Sequence, residues 1–268
     1  MQVFDVISFL EFIGEPVYCN PSAWGREYRY VVSENSLLAH ETLLKNTILH
    51  HHSSFDFSEE VIQLSYPLAA KALSQRNSGN PNDDRTRMGN LGEVIGAEFS
   101  KACLGFETTR TFPKRLNPNI DQSMKGVDII GLRNRNHTAE LLIGEAKSAK
   151  QYDKRLIEEA YEHLVDLETK EASQFLRFMK EVFTLQNDRQ ELANIDRHMA
   201  KDVQRQYLIL FITQSTPEHP FASIEGCFKS RQIPNLSAVH IQISDLKNAI
   251  SKDKQYEIDG WLPKIFNL

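Results

Sequence analysis

Residues 206–212 read QYLILFI, a run that is apolar almost without interruption. Successive residues of a strand point to opposite faces, so a strand with one wet face alternates apolar and polar. This run does not alternate. It must be covered on both faces, as a central strand with helices above and below. Other segments fit a sheet built around it. REYRYVV (26–32) is strand-like, and VHIQI (239–243) alternates like a strand with one wetter face. VDIIGL (127–132) and ELLIGEAK (140–147) flank the polar turn RNRNHT, which is the pattern of a hairpin.

Helical spacing supplies the covering layers. GNLGEVIGAEFSKACLG (89–105) places Leu91, Val94, Ile95, Ala97, Phe99 and Ala102 on one face, with Asn90 as an N-cap. Leu156, Ile157, Ala160, Tyr161, Leu164 and Val165 recur at helical spacing. So do Ala172, Phe175, Leu176, Met179, Val182 and Phe183. FSEEVIQLSYPLAAKALSQ (57–75) is helix-like, with a break or kink at Pro67. The order of helix, hairpin, helices, strand and strand implies an α/β chain with a mixed sheet flanked by helices. Its 268 residues suit one or two domains. The polar stretch QRNSGNPNDDRTRMGN (75–90) reads as a linker. The expected division is an N-terminal α+β subdomain over 1–85 and a larger domain over 86–268.

Composition narrows the function classes. No apolar run approaches the roughly 20 residues needed to cross a bilayer. The start, MQVFDVISFLEFIGE, has acids and no basic segment, so no signal peptide is expected. Cys19, Cys103 and Cys227 are odd in number and widely spaced, which disfavours zinc and disulfides and suits a cytoplasmic protein. The formal net charge is −5, but residues 101–155 hold eleven Lys/Arg against six Asp/Glu. A local balance of +5 thus stands against −10 elsewhere. A local field of that sign suits a polyanion, although clustering on a solvated face has the same appearance.

The charges in the hairpin are the chemical signal. Glu145 and Lys147 are two residues apart and share a face of their strand, with Leu141 and Ile143 behind them. Asp128 can lie beside them on the neighbouring strand. Two carboxylates repel and raise each other's pKa unless a cation separates them. Magnesium suits such a site, since it binds few carboxylates and keeps several waters. With Lys147 to position the attacking water, or to offset charge on a phosphate, the arrangement fits phosphodiester hydrolysis. The plain alternative is a salt bridge at a strand end.

In these residues the chain resembles a known superfamily. Asp128 followed by Glu145-Ala146-Lys147 is similar to the D…(D/E)-x-K signature of PD-(D/E)xK nucleases. Glu93, in GNLGEVIGAEF, resembles the helical glutamate that many members add as a third acid. Val127 stands where the signature's proline would be. The resemblance implies a restriction-endonuclease-like fold and a magnesium or manganese ion held by Asp128, Glu145 and the Ala146 carbonyl, with Glu93 in support. It implies Lys147 at the attacking water. A narrower set, GNLGEVIGAEF, GVDII and LLIGEAKSAKQYDKRLIEEAYEHL, resembles the HamA family, nuclease subunits of Hachiman antiphage defence. That implies DNA degradation in partnership with a superfamily-2 helicase.

Arg110, Lys114, Arg115, Arg133, Arg135, Lys150 and Lys154 are the candidates for phosphate contact, which would position a duplex without reading its sequence. His137 lies in the hairpin turn and reads as a solvated residue. His50, His51 and His52 point in different directions and read as a solvated patch. Glu98, the rival third acid, reads as an exposed charge, and Gly89, Gly92 and Gly96 as close-packing or capping glycines. No phosphate-binding glycine loop and no nucleophile elbow occurs. Beyond a defence DNase, a restriction- or repair-type nuclease fits the motif, as does a nuclease-like module that binds nucleic acid or a partner without cutting.

Overall fold

A computed structural model describes residues 2–52, 84–108, 127–135, 138–170, 175–177, 179–180, 195, 203–215 and 217–246. The elements in chain order are α1 (Val6–Ile13), β1 (Tyr18–Ser22), β2 (Gly25–Val32), α2 (Glu34–Ala39), α3 (Glu41–His52) and α4 (Asp84–Ala102). Then come β3 (Glu107–Thr108), β4 (Ile129–Arg135), β5 (Thr138–Ala149), α5 (Lys154–Glu168), β6 (Val203–Thr213), α6 (Ala222–Ser230) and β7 (Leu236–Ile243). The helix expected over 57–75 lies outside the described residues.

The seven strands form one mixed sheet in the order β1-β2-β7-β6-β5-β4-β3. Strands β2, β7, β6 and β5 run parallel, while β4 returns antiparallel to β5. This is the helix-flanked mixed sheet of a restriction-endonuclease-like α/β chain. The QYLILFI run lies in β6, the middle strand, and every residue from Tyr207 to Thr213 is buried. Alternate side chains enter opposite cores. Leu208, Leu210 and Ile212 pack with residues of α1, α3 and α4, including Phe9, Phe12, Ile48, Leu91 and Ile95. Tyr207, Ile209 and Phe211 pack with residues of α5 and α6, including Ile157, Tyr161, Leu164 and Ile224.

The first two strands belong to this same sheet, through pairing of β2 with β7 from Gly25↔Leu236 to Val32↔Ile243. Local signals explain the helix starts. Asp5 and Ser8 form a reciprocal capping box on α1. The Asp153 carboxylate accepts from the Arg155 N–H at 3.0 Å and starts α5. Phe175, Leu176 and Met179 are buried against the second core, and the rest of the helix expected around them lies outside the described residues.

Four expectations change. The β4–β5 hairpin is longer than expected, because Arg133 to Arg135 continue pairing with Thr138 to Glu140. Asn90 is not an N-cap: α4 begins at Asp84, and Asn90 lies buried inside it. The alternation in VHIQI does not mark a wet face, since His240 is fully buried and bonded to Thr213 Oγ1 at 2.8 Å. Nor are His51 and Glu98 solvated. Both are buried, and His51 Nε2 lies 2.8 Å from Glu98 Oε1, tying α3 to α4. A long helix with an acid on its inner side needed a partner there, and the end of α3 supplies it.

Among the described residues, no helix is long and apolar enough to cross a membrane.

Candidate active site

The site forms where β4 starts and β5 runs on with no strand partner on that side among the described residues. The hairpin register ends at Ile129↔Gly144, so the next residue pair sets Asp128 across from Glu145. Beyond that point β5 keeps its partner on the other side, pairing with β6 as far as Ala149↔Thr213. Its free edge is closed by a side chain. Asp128 Oδ2 accepts from the Ala146 N–H at 3.0 Å. In a strand, the N–H and C=O of one residue leave on the same side. The Ala146 carbonyl therefore also faces the edge where Asp128 stands.

Glu145 and Lys147 share the face of β5 that carries Leu141 and Ile143, as the period of a strand requires. Glu145 is buried and both its oxygens are bonded. Lys147 Nζ lies 2.7 Å from Oε1, and His163 Nδ1, on α5, lies 2.8 Å from Oε2. Glu93 belongs to the opposite layer, on α4. Its position is set by close packing. A Cβ on Gly92 would stand 2.4 Å from Ser148 Oγ, and one on Gly96 would stand 2.3 Å from Ile129 Cδ1. At Gly96 only glycine lets α4 settle against Ile129 at the start of β4, whereas at Gly92 the close neighbour is the end of the Ser148 side chain. The expectation of close-packing glycines holds for this pair, whereas Gly89 has open space around its Cβ position.

Charge in the site is uneven. Burial, then the neighbouring charges of Glu145 and Glu93, push the Asp128 carboxyl well above its ordinary value, against the Ala146 N–H and Lys147. Burial also acts to raise Glu145, but the His163 hydrogen bond and Lys147 outweigh it and hold that carboxyl low. Burial works to lower the Lys147 ammonium, and Glu145 and Asp128 lift it above its usual range. The hydrogen bond to Glu145 raises His163. Asp128 thus has two further acids near it, Glu145 and Glu93, while Lys147 and His163 both engage Glu145. Among the described residues, no three His, Cys, Asp or Glu side chains form a ready-made metal cage.

A family model for HamA matches residues 28–259. The chain belongs to the HamA family. The Hachiman protein HamA of Bacillus cereus is 40% identical to this HamA-family chain over 86 residues. That stretch is 32% of this chain and only 30% of the relative. The chain therefore spans under a third of that protein's length in the match.

The structure brings together Glu93, Asp128, Glu145, Ala146 and Lys147 of the expected site residues. The basic candidates divide. Arg110, Lys114 and Arg115, with His137, lie outside the described residues. Arg135, Lys150 and Lys154 are exposed around the hairpin and the start of α5. Arg133 is engaged within the fold: its guanidinium lies 4.2 Å from the centre of the Phe106 ring and is bonded to Glu140 and to the Leu104 carbonyl. His163 was not anticipated. The signal available for it was its place on the border of the α5 apolar stripe, three residues after Ala160 and four before Leu167.

Proposed function

We propose that this HamA-family chain is a metal-dependent deoxyribonuclease of the PD-(D/E)xK type that acts in Hachiman antiphage defence together with a helicase subunit. The observation that carries the reading is the meeting of Asp128, Glu145 and Lys147 at the open edge of β5, with Asp128 directly across from Glu145.

The residues present fit a magnesium or manganese ion. Magnesium is bound through one or two carboxylates plus waters and needs no three-residue cage. Asp128 is crowded by two like charges, which a divalent cation would relieve. Asp128, Glu145 and the Ala146 carbonyl would hold it, with Glu93 supporting from α4. When bound, such an ion polarises a phosphoryl oxygen and makes its water acidic.

The side chains do the rest. Lys147 keeps its ammonium beside Glu145, where it can donate to an attacking water or to a charged phosphate oxygen. Asp128 holds the free edge of β5 in place through the Ala146 N–H. Exposed Lys150 and Lys154 follow the end of β5 that carries the site and could contact a phosphate backbone there, whereas exposed Arg135 stands at the turn end of the hairpin. Family membership supports the defence role, and the name of the Bacillus cereus relative agrees with it.

The test has two parts. Purified chain, alone and with a co-expressed superfamily-2 helicase from the same source, is incubated with DNA in magnesium, manganese or excess chelator. Cleavage that needs metal, and that Lys147→Ala removes while the protein stays folded and still binds DNA, is the expected result. Cleavage at the wild-type rate in chelator, or by Lys147→Ala, rejects the assignment. Co-purification with the helicase, and a response of cleavage to ATP, tests the partnership separately.

A further inference from the structure

We infer that His163 is a positioning residue for the nuclease site, holding Glu145 from the helix α5 side so that its carboxylate presents a fixed oxygen to a divalent cation. The inference rests on the nuclease reading above and adds to it a residue outside the Asp128, Glu145, Lys147 signature.

The geometry is specific. Glu145 is 3% exposed, so it cannot settle its lone pairs on water. An ionised carboxylate only accepts hydrogen bonds, and offers about four lone-pair sites over two oxygens. Lys147 takes one on Oε1 and His163 one on Oε2. The two donors grip different oxygens, which fixes rotation of the carboxylate plane as one donor could not. Because the acceptor is a carboxylate, the proton of this bond resides on His163 Nδ1.

His163 is well placed for that work. Its helix is anchored to the sheet by Ile157, Ala160, Tyr161 and Leu164, all fully buried. Tyr161 also bonds the Arg231 carbonyl at 2.6 Å. The imidazole therefore projects from a rigid element. Its side chain is 38% exposed, so it fills no core space, and apolar packing gives no reason for it. Outer hydrogen-bond partners of metal-binding groups orient them, and removing one weakens metal binding by about 10–100-fold.

The experiment compares two amide variants in the full-length chain. In His163→Asn the amide nitrogen occupies the place of Nδ1 and can still donate to Glu145. In His163→Gln the nitrogen falls where Nε2 was and cannot. Manganese binding is measured by calorimetric titration of wild type, His163→Asn, His163→Gln, His163→Ala and Asp128→Asn, with melting curves in the absence of metal to compare folding. The expected result is wild-type-like affinity in His163→Asn and roughly 10–100-fold weaker binding in His163→Gln and His163→Ala, without a matching change in melting. If Asp128→Asn weakens binding and His163→Gln and His163→Ala do not, the role of His163 is overturned and the nuclease reading stands. If wild type shows no Asp128-dependent binding, both fall.

Discussion

The three glycines of α4 make a graded test of how the site is assembled. Replacing a helix-interior glycine with alanine gains about 1 kcal/mol of helix propensity wherever the new methyl has room. At Gly89 there is nothing within 4 Å among the described residues, so Gly89→Ala should stabilise the fold by about that amount. At Gly92 the methyl would meet Ser148 Oγ at 2.4 Å, with Ala146 and Ser148 Cβ atoms at 3.6 and 3.7 Å. Ser148 Oγ is buried without a hydrogen-bond partner among the described residues, so it can turn away at little cost. Gly92→Ala should therefore keep most of the propensity gain and stabilise by somewhat under about 1 kcal/mol. At Gly96 the methyl would meet Ile129 Cδ1 at 2.3 Å and Cγ1 at 3.0 Å. Ile129 is 1% exposed and β-branched, so a rotation of its end alone does not clear both contacts. Overpacking of this kind costs about 1–3 kcal/mol. The propensity gain is common to all three variants and cancels in comparison. Gly96→Ala should thus be less stable than Gly89→Ala by about 1–3 kcal/mol. Urea unfolding of the three variants measures this directly, and cleavage assays should show activity falling with Gly96→Ala, as α4 and Glu93 are pushed from Asp128. Equal stabilisation by Gly89→Ala and Gly96→Ala would refute the close approach of α4 to β4 and with it the placement of Glu93.

Further outcomes follow from the charged groups. Burial acts to raise Glu98, but the His51 hydrogen bond and charge outweigh it and leave its carboxyl below the ordinary value. Its contribution should be fully present above an unfolded value of about 4.3 and lost as pH falls through the folded one. Glu98→Gln should then cost about 1.5–3 kcal/mol near neutral pH, with the gap to wild type closing in acid; a gap constant from neutral to strongly acidic pH in urea titrations would contradict this. Arg135→Ala should lower the log–log salt slope of DNA binding by about 0.9 for one lost phosphate contact, equally on unrelated sequences. An unchanged slope moves the DNA path away from the hairpin. Arg133→Glu is a different experiment, because it sets an acid against Glu140 and strips the cation from Phe106; it should first lower the melting temperature.

What the sequence disclosed and what it hid divide along the range of the interactions. The face of β5 that carries Leu141, Ile143, Glu145 and Lys147 follows from period two alone, and the buried middle strand from an apolar run too long to alternate. Asp128 could be set beside Glu145 because one short turn fixes a hairpin register. Segments whose partners lie far along the chain were opaque. The 239–243 alternation suggested water on one side, yet His240 finds Thr213 on the next strand. Glu98 looked solvated until α3 brought His51 to it across 47 residues. His163 is the instructive case. It lies eighteen residues from Glu145, on a helix whose pattern shows where its apolar stripe goes but not what borders it. A strand motif can name a carboxylate and a cation, because both sit on one element. It cannot name the group that closes the second oxygen from another layer. For a buried acid that omission is itself a clue: Glu145 has two oxygens and one neighbouring lysine, and His163, from the layer packed over β5, takes the second oxygen.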